Sequence, residues 1–160
     1  MTVIAVECNA DRSLLEVLGV PRRRIRHAGN RGEVCNFLAR GIAPIGLIEA
    51  DPHDPSGLPR LLRDRSLKEI SGDLQVYQGA GWTVIVLYPR LEEWVLKAAE
   101  ETGVDPTDFG LPDNANALHR QIRTQRRQEQ FQRFLRELLE AGSTRLLELR
   151  NCLGLQGKSI

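Results

Sequence analysis

Strand-like and helix-like segments alternate through the first half of the chain, and this order limits the fold more than any other feature of the sequence. Short runs of apolar and β-branched residues are typical of buried strands, whereas apolar residues at helical spacing are typical of amphipathic helices. Strand-like runs lie at 2–7, 22–29, 43–50, 73–78 and 82–89. Because strands separated by helices form parallel sheets, we predict an α/β fold in which a mostly parallel sheet carries helices on both faces.

Helix-like segments fill the intervals between these strands and the C-terminal third of the chain. We predict helices over 9–18, 30–41, 58–70, 90–103, 113–140 and 143–153, with Ser143 as the N-cap of the last. The sequence Gly-Ala-Gly at 79–81 predicts a hairpin between the last two strands. We divide the chain into an α/β domain, residues 1–112, and a helical, arginine-rich extension, residues 113–160, packed on or next to it.

Composition and cysteine usage narrow the class of protein. The chain has 160 residues, of which 41% are hydrophobic and 27% charged, which is enough to build a core. No apolar run approaches the length of a membrane span, so we expect no membrane partner. The N-terminus lacks a basic leader, and the three widely spaced cysteines form neither a disulfide framework nor a zinc pattern. These features are typical of a cytoplasmic protein.

Acidic residues follow three of the predicted strands. In chain order these acids are Glu7, Glu49, Asp51, Asp54, Glu92 and Glu93. Because the carboxyl ends of parallel strands meet at one edge of a sheet, we expect the carboxylates to converge. Residues two apart in an extended segment point to the same side, so Glu49 and Asp51 are expected to face one ion together. Crowded carboxylates are tolerated when a cation neutralises them, and Mg²⁺ or Mn²⁺ prefers oxygen ligands. The alternative is an ordinary polar loop in which Asp and Pro form turns.

Four segments of the chain resemble the Toprim domain, which occurs in topoisomerases, bacterial primases, overcoming-lysogenization-defect nucleases and small RNA-maturing nucleases. The segments are VECNADRSLLEVLG, HAGNRGEV, GLIEADPHDP and LYPRLEEWVL, and the resemblance covers about residues 2–98. The first is similar to the family's opening V-E-G-x-x-D, and the third to its D-x-D strand end. The chain departs from the family at Cys8, where the family has Gly, and at Glu49, where it usually has Asp. Residues 113–160 have no counterpart in the family.

The resemblance implies a Rossmann-like sheet and metal-dependent phosphoryl transfer on a nucleic-acid backbone, as in a nuclease. Glu7, Glu49 and Asp51 are then the catalytic residues, with Glu7 as general acid/base or metal ligand and the other two as ligands of Mg²⁺ or Mn²⁺. Asp11 matches the family's acid near the start of the first helix, but we assign it to a helix cap. The metal shell implied by the resemblance consists of Glu7, Glu49, Asp51, Asp54 and Glu92, with Glu93 as the alternative to the last.

The C-terminal segment is the basic part of the chain. Residues 113–160 carry 9 Lys/Arg against 5 Asp/Glu, whereas residues 1–112 carry 13 against 16. Arg123 and Arg127 are four residues apart on the predicted helix, so they share a face and repel each other unless an anion lies nearby. That anion can be a nucleic-acid backbone, an acidic partner protein or a second copy of the chain; a solvated helix face is the alternative. The candidate nucleic-acid contacts are Arg120, Arg123, Arg126 and Arg127.

Two classes of function fit these patterns. The first is a Mg²⁺-dependent nuclease that binds DNA or RNA. The second is a non-catalytic α/β module that binds nucleic acid or a partner protein through its arginine-rich helices. A small-molecule α/β domain is disfavoured because the sequence contains neither G-x-G-x-x-G nor a Walker A motif.

Overall fold

A six-stranded sheet forms the centre of the computed structural model, which describes residues 2–55, 57, 59–63, 67–70 and 73–155. The strands are β1 Ile4–Val6, β2 Ile25–His27, β3 Ile45–Glu49, β4 Leu67–Ile70, β5 Leu74–Gly79 and β6 Trp82–Leu87. The α-helices are α1 Asn9–Val17, α2 Arg31–Ala39, α3 Arg60–Arg63, α4 Leu91–Thr102, α5 Ala115–Ile122, α6 Gln128–Glu140 and α7 Thr144–Cys152. Short 3₁₀ turns lie at Arg22–Arg24, Pro106–Phe109 and Gln125–Arg127.

The sheet is mostly parallel, as the alternation of strands and helices predicts. Its strand order is β2-β1-β3-β6-β5-β4, and the first four strands in that order run in the same direction. Strand β5 is antiparallel to both of its neighbours, β6 and β4. The predicted hairpin at 79–81 is confirmed, because Gly79 pairs with Trp82 across the turn. The carboxyl ends of β1, β3 and β6 therefore lie side by side at one edge of the sheet.

Side chains of the central strands alternate between two hydrophobic cores, one on each face of the sheet. In β1, Ile4 and Val6 belong to the larger core and Ala5 to the smaller, and all three are fully buried. Helices α1, α4, α5, α6 and α7 contribute to the larger core, and α2 and α3 to the smaller. The prediction of helices on both faces is confirmed. Strands buried on both sides explain the continuous apolar runs, since each fully buried Ile or Leu contributes about 1.5–3 kcal/mol.

The C-terminal helices share the larger core with the sheet. Phe131 and Phe134 of α6 are fully buried in it. A buried hydrogen bond of 2.7 Å, from Ser13 Oγ to Gln128 Oε1, joins α1 to the first residue of α6. A buried polar pair of this kind fixes the relative position of two helices, because separating them leaves both groups unsatisfied. The extension is thus packed directly on the α/β part of the chain.

The segment 58–70 differs from its prediction as one helix. Only Arg60–Arg63 is helical, and Leu67–Ile70 forms strand β4; positions 58 and 64–66 lie outside the described residues. Strand β4 pairs antiparallel with β5, so that Leu67 lies opposite Tyr77 and Ile70 opposite Leu74. Pairing satisfies the backbone groups on the outer side of β5, and this tertiary gain outweighs the helical preference of the segment.

The predicted helix 113–140 is also interrupted. Helix α5 ends at Ile122, and a 3₁₀ turn precedes α6, which begins at Gln128. The Gln128 Nε2 amide donates hydrogen bonds of 2.6 Å to the Ile122 carbonyl and 2.9 Å to the Thr124 carbonyl. The first of these bonds satisfies a carbonyl group that the end of α5 leaves without a helical partner. Arg123 and Arg127 consequently do not share one helix face, and that part of the prediction is wrong.

Within the described residues, no helix is both long enough and apolar enough to cross a membrane.

Candidate metal centre

A cavity of about 520 Å³ opens at the edge of the sheet where β1 and β3 end. Its lining comes from the segment after β1, the ends of β2 and β3, and the starts of α1 and α4, together with the end of α5. The parallel register places Val6 level with Leu47, so the residues that follow β1 and those that end β3 meet at this edge. The acids that line the cavity are Glu7, Glu49, Asp51 and Glu92. The predicted convergence of carboxylates from three sequence-distant segments is present in the structure.

Glu7 and Glu49 are held at fixed positions by backbone amides. The Glu49 N–H donates a 2.8 Å hydrogen bond to Glu7 Oε2, and the Leu91 N–H donates a 2.5 Å bond to Glu49 Oε1. Leu91 is the first residue of α4, so the Glu49 carboxylate satisfies an amide at a helix N-terminus, where negative charge is favoured. The second oxygen of each carboxylate has no hydrogen-bond partner among the described residues.

Asp11 is the third acid of the cluster, and its prediction as a helix cap is wrong. The N-cap position of α1 is Cys8, and no side chain caps that end of the helix. Asp11 is fully buried, and its Oδ2 accepts a weak 3.4 Å hydrogen bond from Cys8 Sγ. Its Oδ1 has no hydrogen-bond partner among the described residues. Each of Glu7, Asp11 and Glu49 places a carboxylate oxygen within 4.8 Å of the others.

Burial and mutual repulsion make this cluster a poor place for uncompensated negative charge. Burial, and next the charge of Glu49, raises the pKa of Glu7 to about 7. Burial, and next the charge of Glu92, raises the pKa of Glu49 to about 7. The pKa of Asp11 is also raised, first by burial and then by Glu49 and Glu7. A divalent cation relieves this repulsion and takes up the lone pairs that lack donors, so the residues fit a hard metal ion.

Glu92 lies at the start of α4 and is paired with a histidine from α5. Its Oε1 is 2.6 Å from His119 Nδ1, and the Glu92 side chain is almost fully buried. Burial raises the pKa of Glu92 to about 7. The pKa of His119 is lowered, first by burial and then by the charges of Arg90 and Arg123. Sequence alone offered no partner for His119, since nothing in the spacing of positions 92 and 119 reports their contact.

Asp51 lines the cavity, but not for the reason that the sequence suggested. Its φ of 44° is left-handed, so the extended backbone of β3 does not continue through it. The Asp51 N–H donates a 2.7 Å hydrogen bond to the Pro89 carbonyl, which ties the end of β3 to the segment after β6. The expectation that Glu49 and Asp51 share one side of an extended segment is therefore wrong. The two residues reach the same cavity through a turn.

Asp54 and Glu93 are not among the residues that line the cavity. Asp54 forms a 2.9 Å ion pair with Arg31, and Glu93 is paired with Arg90. Arg31 itself is 8% exposed and donates hydrogen bonds of 2.5 Å to the Ala50 carbonyl and 2.8 Å to the Gly57 carbonyl. This arginine thus secures the loop after β3 on which Asp51 sits.

The close approach of α2 to β3 brings Arg31, the first residue of α2, near this loop. A Cβ at Gly46 of β3 would lie 2.7 Å from Val34 Cγ1, so a larger residue there would push the helix away from the strand. Gly46 is therefore required for α2 to pack closely on β3. This packing sets how far Arg31 lies from the loop after β3.

The four candidate arginines of the extension are all exposed, and they do not all lie at the cavity. Arg123, the C-cap residue of α5, lines the cavity with His119 and Ile122. Arg120, Arg126 and Arg127 lie outside the lining.

No protein-family model matches the chain, and no curated protein or solved structure matches it. The Toprim resemblance therefore stays a prediction. The chemistry of the cavity suggests a function: it is lined by carboxylates, two of which keep one oxygen without a donor among the described residues, at the carboxyl edge of a parallel sheet where ligands bind in open α/β folds.

Proposed function

We propose that the protein is a metal-dependent enzyme of phosphoryl transfer, a nuclease of Toprim type that hydrolyses a nucleic-acid backbone. The observation that carries the proposal is the cluster of Glu7, Asp11 and Glu49. Their carboxylate oxygens lie within 4.8 Å of one another, and one oxygen of the fully buried Asp11 has no hydrogen-bond partner in the part of the chain that the structure describes. Exposed acidic groups are common on proteins, but a buried carboxylate oxygen without a donor points to a ligand that supplies positive charge.

Glu7, Asp11 and Glu49 hold the ion, which is Mg²⁺ or Mn²⁺ on account of the all-oxygen donor set. Asp51 and Glu92 line the cavity together with Glu7 and Glu49 and complete its acidic surface. When bound, the ion neutralises negative charge that develops on phosphate oxygens during transfer.

In hydrolysis a phosphorus–oxygen bond to the leaving strand breaks, a bond to the oxygen of water forms, and the water proton is finally carried by the leaving oxygen. The chain supplies groups suited to moving that proton, because the pKa of Glu92 is raised to about 7 by burial. His119 Nδ1, 2.6 Å from Glu92 Oε1, fixes the orientation of this carboxyl group. Glu7 keeps the alternative roles of metal ligand and general acid/base.

Cleavage assays with single-stranded and double-stranded DNA and RNA test the proposal. We expect cleavage with Mg²⁺ or Mn²⁺, none with EDTA, and none from Glu7→Gln or Asp51→Asn, with the circular dichroism spectrum unchanged. Glu100→Gln is the matched control because Glu100 is exposed on α4 and lies outside the cavity. Activity that persists in EDTA, or in both site variants, would contradict a metal-dependent enzyme.

A non-catalytic module that binds nucleic acid, a partner protein or a second copy of the chain is the second candidate. The observation that favours it is the exposure of Arg120, Arg126 and Arg127, which lie outside the cavity. This function predicts salt-sensitive binding that falls when the three arginines are replaced by Gln and does not change when the acids are replaced. Charge substitution is the suitable test, because deleting residues 113–160 would remove Phe131, Phe134 and other core residues. A cytoplasmic location goes with either function, and the free thiols of the three cysteines agree with it.

A further inference from the structure

The cavity of the metal centre has a second side that carries no acid and comes from the C-terminal extension. Three residues at the end of α5 form it: His119, Ile122 and the C-cap residue Arg123. The candidate site is therefore composite, since its carboxylates come from residues 7–92 and its only arginine among the described lining residues comes from position 123.

Arg123 is notable because it stands beside acids without pairing to any. Within the described part of the chain its side chain makes no ion pair and no hydrogen bond. The two other arginines near the site are both engaged: Arg31 pairs with Asp54, and Arg90 pairs with Glu93. An exposed guanidinium that lines an acidic cavity and remains unpaired keeps its five donors for a ligand, and its planar fork matches the oxygens of a phosphate group.

Glu92 is paired with His119 and not with Arg123. The two residues are four positions apart at the end of α5, so they project from the same side of the helix. His119 Nδ1 lies 2.6 Å from Glu92 Oε1 and is therefore paired with the acid at the start of the neighbouring helix α4. The histidine is thus a positioning residue for Glu92, and the arginine faces the cavity as a cation.

A phosphate ligand needs such a cation, because the acids of this cavity repel an approaching anion. A bound metal ion offsets part of their charge, and a guanidinium on another side of the cavity offsets more and holds the phosphate in one orientation. Contacts with phosphate that come from both a metal and an arginine are charge-assisted and mutually reinforcing.

We infer that Arg123 binds a phosphodiester group of the nucleic-acid strand in the metal-centre cavity, so that the C-terminal extension completes the substrate site. The inference rests on the proposed function for the identity of the ligand. It distinguishes Arg123 from Arg120, Arg126 and Arg127, which do not line the cavity.

Binding of a labelled single-stranded oligonucleotide of about ten nucleotides tests this assignment by fluorescence anisotropy. The measurement is made with Ca²⁺ in place of Mg²⁺ and repeated in EDTA, using the full chain. Arg120→Gln is the matched control, because Arg120 is an exposed arginine on the same helix and lies outside the cavity. We expect Arg123→Gln to weaken binding about tenfold, the usual effect of losing one charge-assisted contact, and Arg120→Gln to weaken it less than about twofold. Arg123→Lys keeps the charge but loses the fork, so we expect an intermediate affinity.

Equal losses in Arg123→Gln and Arg120→Gln, or no binding by the wild-type protein, would overturn the inference. Calorimetric titration with Mg²⁺ alone separates it from the proposed function. Arg123→Gln is expected to bind Mg²⁺ as the wild type does, whereas Glu49→Gln is not. If the wild type fails to bind Mg²⁺ or Mn²⁺, the metal-dependent function fails, and the comparison of the two arginine variants still decides the role of Arg123.

Discussion

The backbone N–H of Glu49 donates a 2.8 Å hydrogen bond to the Glu7 carboxylate, so the acid that follows β1 is anchored to the end of β3. The Glu49 carboxylate in turn accepts a hydrogen bond from Leu91 at the start of α4. Each carboxylate is thus oriented by the neighbouring element, and one oxygen of each remains without a donor among the described residues. Side chains fixed in this way can bind an ion without first losing conformational freedom, which favours binding.

Mg²⁺ and Mn²⁺ are expected to stabilise the protein against heat. At a metal concentration of about 100 times Kd, binding to the folded state adds about 2.7 kcal/mol, which for a chain of this length raises Tm by about 5–10 °C. Glu49→Gln is expected to abolish most of this shift, and Glu100→Gln to preserve it. Differential scanning fluorimetry with and without EDTA measures the effect. A shift of equal size in Glu49→Gln would place the metal elsewhere.

The stability of the metal-free protein is expected to fall as pH rises from about 4.5 to about 7. The pKa of Glu7, Glu49 and Glu92 is raised in the fold from 4.5 to about 7, chiefly by burial. The folded protein then holds protons that the unfolded chain has released, so this contribution to stability is complete below pH 4.5 and is lost through pH 7. Urea denaturation in EDTA at a series of pH values measures the slope.

Saturating Mg²⁺ is expected to oppose this pH dependence. The metal binds the deprotonated carboxylates and competes with protons, so the stabilisation that it provides grows from pH 5 to pH 8. The same urea series with Mg²⁺ in place of EDTA checks the expectation. A metal effect that is independent of pH would indicate that these carboxyl groups are not the ligands.

Asp11→Asn is expected to stabilise the metal-free protein at pH 8 while removing its response to metal. Asp11 is fully buried, and no described residue donates to its Oδ1, so replacing a negative charge beside Glu7 and Glu49 with a neutral amide relieves repulsion. The expected gain is about 1–2 kcal/mol in the free energy of unfolding, as for other destabilised functional sites. Chemical denaturation in EDTA measures it, with the exposed Asp108→Asn as control. A large loss of stability would instead assign Asp11 a purely structural role.

The sequence alone predicts the location of a side chain where that location depends only on the order of strands and helices along the chain. Because parallel strands end at one edge, chain order predicts that Glu7, Glu49 and Glu92 lie together. Asp11 was misassigned since its inward direction depends on the phase of α1, which starts after Cys8 and not at a capping Asp. His119 could not be placed, because its contact with Glu92 depends on how α5 packs against α4.

Loop contacts and edge pairing account for the remaining differences. The sequence predicts Asp54 at the metal, but Asp54 forms an ion pair with Arg31 of α2 instead. No local sequence pattern indicates such a contact between distant residues. Strand β4 was predicted as helix because its four residues carry no strong strand signal, and their pairing with β5 decides their conformation.

Arg31→Met is expected to lower both the stability of the fold and the affinity for metal. Arg31 is 8% exposed, pairs with Asp54, and donates to the carbonyls of Ala50 and Gly57, so its removal leaves these acceptors without their donor. The expected loss is about 2–4 kcal/mol in the free energy of unfolding. Because the same loop carries Asp51, loss of these Arg31 contacts also lets the Asp51 carboxylate move away from the cavity.

A second buried arginine provides the control that separates these two effects. Arg145 is 5% exposed and bridges Glu101 of α4 and Asp73, neither of which lines the cavity. Arg145→Met is expected to destabilise the fold by a similar mechanism and to leave the Mg²⁺ affinity of the folded protein unchanged. Urea denaturation and calorimetric titration of both variants make the comparison. Equal metal affinities in the two variants would show that Arg31 supports the fold without positioning the metal centre, because general destabilisation would then explain its whole effect.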